Sequence, residues 1–99
     1  MQIISKKAQA EGLVGKVLVC GGGEVVLVQA ANETGSSVSA APFLLSRRAY
    51  PADLGPLIED GVVVYEFDEA MQVFKTHIER AQAAGMWSDP RKAEEAELE

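Results

Sequence analysis

Arg47 and Arg48 stand side by side just before Tyr50 and form a compact basic patch. Paired guanidinium groups in a loop clamp a carboxylate or a phosphate through forked N–H donors. With Tyr50 they make the candidate site for a small anionic ligand. The competing reading is that they neutralise Asp53, Glu59 or Asp60 nearby, or pair with another subunit.

Gly21-Gly22-Gly23 follows an apolar run, as a phosphate loop would. Phosphate cradling requires a helix next, whose free N–H groups face the anion. Glu24-Val25-Val26-Leu27-Val28 follows instead, and valine-rich runs favour the extended state. Val26 also occupies the place of the third glycine of a dinucleotide fingerprint, and no Lys-Ser or Lys-Thr pair follows for a P-loop. The glycines therefore read as a hairpin turn, where positive φ angles are needed.

Cys20 and His77 are the only residues of their kinds. A thiolate with a histidine partner is a nucleophile, but no family signature surrounds either residue, and Glu24 raises the thiol pKa. A buried structural cysteine is expected. His77 has Arg80 and Ala81 at the helical positions where metal partners would stand, so it reads as a surface histidine. Glu59, Asp60, Glu66, Asp68 and Glu69 cluster around the last apolar run. They lack the Asp-x-Asp-x-Asp-Gly order of a calcium loop and read as a solvated face with helix capping. Met86 and Trp87 either close the core or stand as an anchor for a partner.

These groups sit in a chain of 99 residues with 47% hydrophobic and 24% charged residues and a net charge of −6. That length permits one domain. The acidic balance disfavours nucleic-acid binding through phosphate neutralisation. One cysteine excludes an internal disulfide. Met1–Lys7 lacks a basic stretch followed by a long apolar run, and no run approaches the ~20 residues of a membrane span. A cytoplasmic location with no direct membrane or nucleic-acid partner is expected, and no cofactor is implied.

The elements that must position the candidate groups follow from punctuation and period. Ser5 caps a short helix over Lys6–Glu11, with a strand from Ile3 and Ile4 as the alternative. Leu13–Cys20 and Glu24–Ala31 read as paired strands, and Ser37–Leu45 as a third. Pro42 cannot donate to a ladder, so this strand belongs on an edge or carries a bulge there. A helix from Pro42 to Tyr50 is the competing reading. A short helix fits Ala52–Glu59, with Leu54, Leu57 and Ile58 on one side. Val62–Phe67 is a further strand. Asp68 then caps a long helix to Ala84, whose Met71, Phe74, Ile78 and Ala81 make one apolar stripe. Gly85 stops it, with Met86 folding back on Ala81.

The expected fold is α+β: a mostly antiparallel sheet of three or four strands with one long helix on one face. Residues 1–87 form the domain and 88–99 an acidic, flexible tail. The expected function is a non-enzymatic, self-associating protein-interaction module with Arg47, Arg48, Tyr50 and Trp87 as contact residues. An anionic-ligand domain using Arg47, Arg48 and Tyr50 is one alternative, and an acidic inhibitor of a basic nucleic-acid-binding protein is another. A Cys20-dependent activity is a minor one.

Overall fold

The computed structural model describes residues 2–4, 10–33, 36–45, 48–58 and 61–92. Its strands are β1 (Gln2–Ile4), β2 (Lys16–Cys20), β3 (Val25–Ala31), β4 (Ser37–Pro42), β5 (Tyr50–Asp53) and β6 (Val62–Glu66). Its helices are α1 (Leu54–Leu57), α2 (Phe67–Val73) and α3 (Lys75–Ala83), with 3-10 turns at Ala10–Leu13 and Pro90–Lys92. The architecture is α+β, as expected, but among the described residues the sheet has six strands in the order β1-β6-β2-β3-β4-β5, every neighbouring pair antiparallel.

The triple glycine reverses the chain between β2 and β3. Val19 pairs with Val25 across it, Gly23 sits at φ +94°, and the Cys20 and Glu24 backbones close the turn at 2.8 Å. At that positive φ a side chain would be strained, which is why glycine stands there. β2 begins at Lys16 rather than Leu13, because Gly15 turns the chain at φ +85° first.

Side chains alternate across this sheet and bury both faces. Leu18, Val26, Val28, Val38 and Val64 build the first core, closed by Leu13, Leu54 and Ile58. Val17, Leu27, Ala41 and Phe43 build the second, closed by Ala70, Ile78 and the half-buried Phe67, Phe74 and Trp87. Helices thus cover more than the one face expected.

Several expectations need correction. Ile3 and Ile4 lie in a strand on β6, the alternative the sequence offered; Ser5 and residues 6–9 of the expected Lys6–Glu11 helix lie outside the described residues, and Ala10 and Glu11 belong to a 3-10 turn. β4 ends at Pro42 and is an interior strand, with the sheet's irregularity in β3 between Val28 and Ala30. Proline is tolerated because β5 pairs only with residues 37–40, so Pro42 has a ladder neighbour on the β3 side alone. β5 itself was not foreseen: Tyr-Pro-Ala-Asp is short and poor in strand formers. α1 is a single turn, ended by Ile58.

The expected long helix is two helices, broken at Phe74 (φ −101°, ψ 16°). Its stripe nevertheless faces the sheet: Ile78 is buried, and Met71 and Phe74 pack against the second core. Glu66, not Asp68, stands at the N-cap, and Asp68 and Glu69 occupy the first turn, near the positive helix end. At the other end Gly85 (φ +69°) and the Met86 N–H to Ala81 carbonyl bond of 2.8 Å complete a Schellman stop. The Met86 side chain does not fold back: it is 69% exposed.

Packing continues into the expected tail. Pro90 is buried, its carbonyl accepts from Gln29 Nε2 at 2.7 Å, and Arg91 lies 4.2 Å from the centre of the Phe67 ring. Residues 93–99 lie outside the described residues.

Candidate functional site

The β2–β3 turn, the segment after β4 and the middle of α3 converge on an open cleft of 590 Å³. Each is placed there by its own local chemistry. The glycines let the turn close tightly. Pro42 ends the ladder, after which Leu44 packs at the margin of the second core and Leu45 stands exposed. The α3 register that buries Ile78 puts His77 beside it on the open side.

Val25, Val26, Pro42 and Leu44 supply the apolar wall of the cleft; Glu24, Arg48, Tyr50 and His77 supply its polar groups. Sequence reasoning had separated these four, reading Glu24 and His77 each with Cys20, and Arg48 with Tyr50. Arg48 and Tyr50 line the same cleft. Arg47 lies outside the described residues, as do Glu59 and Asp60.

Tyr50 does not present a spare hydroxyl to an anion. Its O–H donates to Glu24 Oε2 at 2.9 Å. Burial, with the Glu24 carboxylate as acceptor and negative neighbour, pushes the phenol up to about 12. The cleft therefore carries a carboxylate as well as a guanidinium. A bare anion entering it meets like charge, which weakens the simple clamp formed by the arginines.

Cys20 is buried at the base of the turn, and burial together with the Glu24 charge pushes its thiol up to about 11. The thiol stays protonated at neutral pH, opposite to what a thiolate nucleophile requires. Cys20 and His77 do not line one cleft: only His77 faces it. Among the described residues no group of three His, Cys, Asp or Glu side chains is placed to hold a metal. Glu66 instead pairs with Lys16 across the sheet.

Trp87 closes the core. It packs against the second cluster, and its indole N–H donates to the Phe43 carbonyl at 2.8 Å. The exposed group at that end of the fold is Met86. With Arg80, Ala81, Ala84 and Gly85 it lines a second open cleft of 750 Å³ along α3. Leu44, Leu45 and His77 border both clefts, so the two form one continuous groove.

Leu45, 54% exposed, stands between them. Sequence reasoning missed Leu44, Leu45, Arg80 and Glu24 as groove residues. The signal available was the Phe43-Leu44-Leu45 run after Pro42: consecutive residues cannot all face one core along a strand, so at least one had to turn outward.

Comparison with known proteins finds no family, no characterised protein and no solved structure that matches this chain. Among the described residues no helix is long and apolar enough to cross a membrane.

Proposed function

We propose that this chain is a small, non-enzymatic, cytoplasmic protein-interaction module that self-associates, and that the α3 groove is where a second copy seats. The observation that carries the reading is the groove, with Leu45 and Met86 exposed along it. Exposed apolar side chains that border one depression mark contact surfaces more often than singly scattered ones do.

Charge favours a second copy as the occupant. The exposed part of α3 carries Lys75, Glu79 and Arg80, both signs within two turns. In a two-fold arrangement the same patch meets itself, so basic and acidic positions of one α3 face their opposites on the other. Like charges spread over a chain of net charge −6 oppose association elsewhere on the surface.

The sheet edges favour the groove over strand pairing. β1 has three residues, and β5 has four with a proline among them. Short, proline-marked edges resist edge-to-edge addition.

Sedimentation equilibrium on the full chain tests this. A concentration-dependent dimer is expected, and Leu45→Asp combined with Met86→Asp should return it to a monomer. A strict monomer at the highest concentration, or a dimer indifferent to both substitutions, overturns the reading.

A further inference from the structure

Residues 87–92, which follow the α3 stop, lie across the second face of the sheet and add no strand or α-helix to it. Trp87 donates its indole N–H to the Phe43 carbonyl, and Gln29 Nε2 of β3 donates to the Pro90 carbonyl. The 3-10 turn Pro90–Lys92 packs against β3 and β4. Within the segment Pro90 alone is buried; Trp87 and Asp89 are half-buried, and the rest are exposed. A segment with so few buried groups opens at a lower free energy than a core strand does.

The turn is closed on itself. Asp89 accepts from the Arg91 backbone N–H at 2.9 Å and from its guanidinium at 2.7 Å, and the Lys92 N–H donates to the Asp89 carbonyl at 3.0 Å. These bonds travel with the segment, so it keeps its shape when it leaves the sheet. At its start the Met86 N–H is pinned to the Ala81 carbonyl. The pivot therefore lies beyond the helix stop, and motion of the segment leaves α3 in place.

A second observation lies beneath it. Ser39 is 0% exposed, and its hydroxyl has no hydrogen-bond partner among the described residues. Its neighbours along β4, Val38 and Ala40, point into the first core, so Ser39 points to the second face, where the Pro90–Lys92 turn meets β4. Proline has no N–H to offer, and a buried hydroxyl without a partner is destabilising. Such a group calls for a reason. With the segment lifted, water meets the hydroxyl and the penalty is gone.

We propose that residues 87–92 form a latch that lifts off β3 and β4 as one unit while the sheet, α2 and α3 stay folded, and that the Ser39 hydroxyl sets how often it lifts. Opening uncovers the Phe43 carbonyl, the Gln29 amide and the Ser39 hydroxyl, a polar strip that the closed latch hides. The Arg91 guanidinium, 4.2 Å from the centre of the Phe67 ring, favours the closed position. The device needs no second copy.

Native-state hydrogen exchange of the full chain, read by NMR, tests this. Trp87 is the one tryptophan of the sequence, so the indole proton reports the latch. The Phe43 amide, bonded to the Val25 carbonyl at 2.8 Å, and the Ile78 amide, bonded to the Phe74 carbonyl at 3.0 Å, report the core. The indole proton should be at least about a hundredfold less protected than either amide. Ser39→Ala removes the unsatisfied hydroxyl and should raise the indole protection about tenfold. Asp89→Ala, at the surface, unties the turn and should lower it about tenfold. A wobble of the indole ring by itself responds to neither substitution. Indole protection equal to that of the two amides, or unmoved by one of the two substitutions, overturns the proposal. Neither Ser39 nor Asp89 lines the α3 groove, so the outcome is independent of self-association.

Discussion

The two faces of the sheet are closed by different means. On the first, aliphatic side chains from the strands meet Leu13, Leu54 and Ile58, which come from single turns of helix. On the second, rings do the covering. Phe43 lies 5.8 Å from Phe67 and 5.9 Å from Phe74, and Phe74 lies 6.4 Å from Tyr65, the pairs tilted or edge-on. Such ring pairs are worth about 0.5–1.5 kcal/mol each beyond the area they bury. At the margin of the helix pair that bears these rings, the groove bordered by Leu44 and α3 lies open. Stability and an open surface are thus supplied by the same side of the sheet.

Removing one anchor from each face breaks or sharpens this contrast most directly. Phe43 is fully buried and touches both Phe67 and Phe74. Phe43→Ala should cost about 3–5 kcal/mol. Ile58→Ala, on the first face, should cost about 2–5 kcal/mol, toward the lower end because its one-turn helix can settle into the space. Urea midpoints compare the two. An Ile58 loss larger than the Phe43 loss would mean that the short covers, not the rings, carry the fold.

A smaller effect is expected at Trp87. Trp87→Phe keeps a ring on the second core but removes the donor to the Phe43 carbonyl. A part-buried hydrogen bond of this kind contributes about 1 kcal/mol, so a loss near that size is expected in the same urea experiment. A neutral result would show that water replaces the indole N–H and that the segment after α3 is held by Pro90 and Arg91 alone.

The first face should be the one sensitive to alkali. Cys20 belongs to its core and Tyr50 packs against it. Their folded pKa values are raised to about 11 and about 12, from ordinary values of 9.0 and 10.0. Between each pair of values the unfolded chain has lost a proton that the folded chain keeps. Stability is therefore fully present below pH 9 and falls as the pH rises through 9 to 11 for Cys20 and 10 to 12 for Tyr50. Cys20→Ala should flatten the lower part of that fall in thermal melts taken across the range. An unchanged slope would locate the alkaline sensitivity elsewhere.

What the sequence made legible follows the same division. Elements set by strong local signals were readable: the glycine turn, the valine-rich strands around it, Val62–Glu66, and the stripe containing Phe74 and Ile78. Elements set by tertiary context were not. Tyr50–Asp53 becomes a strand only because Ser37–Ala40 offers it a ladder, and Pro51 and Asp53 argue locally against it.

The break at Phe74 has no proline or glycine to announce it. At the site, Arg48 with Tyr50 was legible as a pair. The carboxylate of Glu24 was not, because it reaches Tyr50 from 26 positions away through the β3–β4–β5 pairing. Half of the cleft's charge was invisible for that reason.

The smallest expected change in stability is the one that separates surface from core on the second face. Leu45 and Met86 belong to the same side of the sheet as Phe43, yet more than half of each side chain meets solvent. Replacing either with aspartate removes little buried area, so the monomer's stability should move by no more than about 0.5 kcal/mol. If a second copy covers them, the melting temperature of the unsubstituted chain rises with concentration, because association adds to the folded state only.

The doubly substituted chain should then melt at a temperature independent of concentration and match the unsubstituted chain at high dilution. A loss of several kcal/mol at all concentrations would instead place Leu45 or Met86 in the core. The second face would then be closed like the first, and the groove would be a seam in the packing with no role in contact.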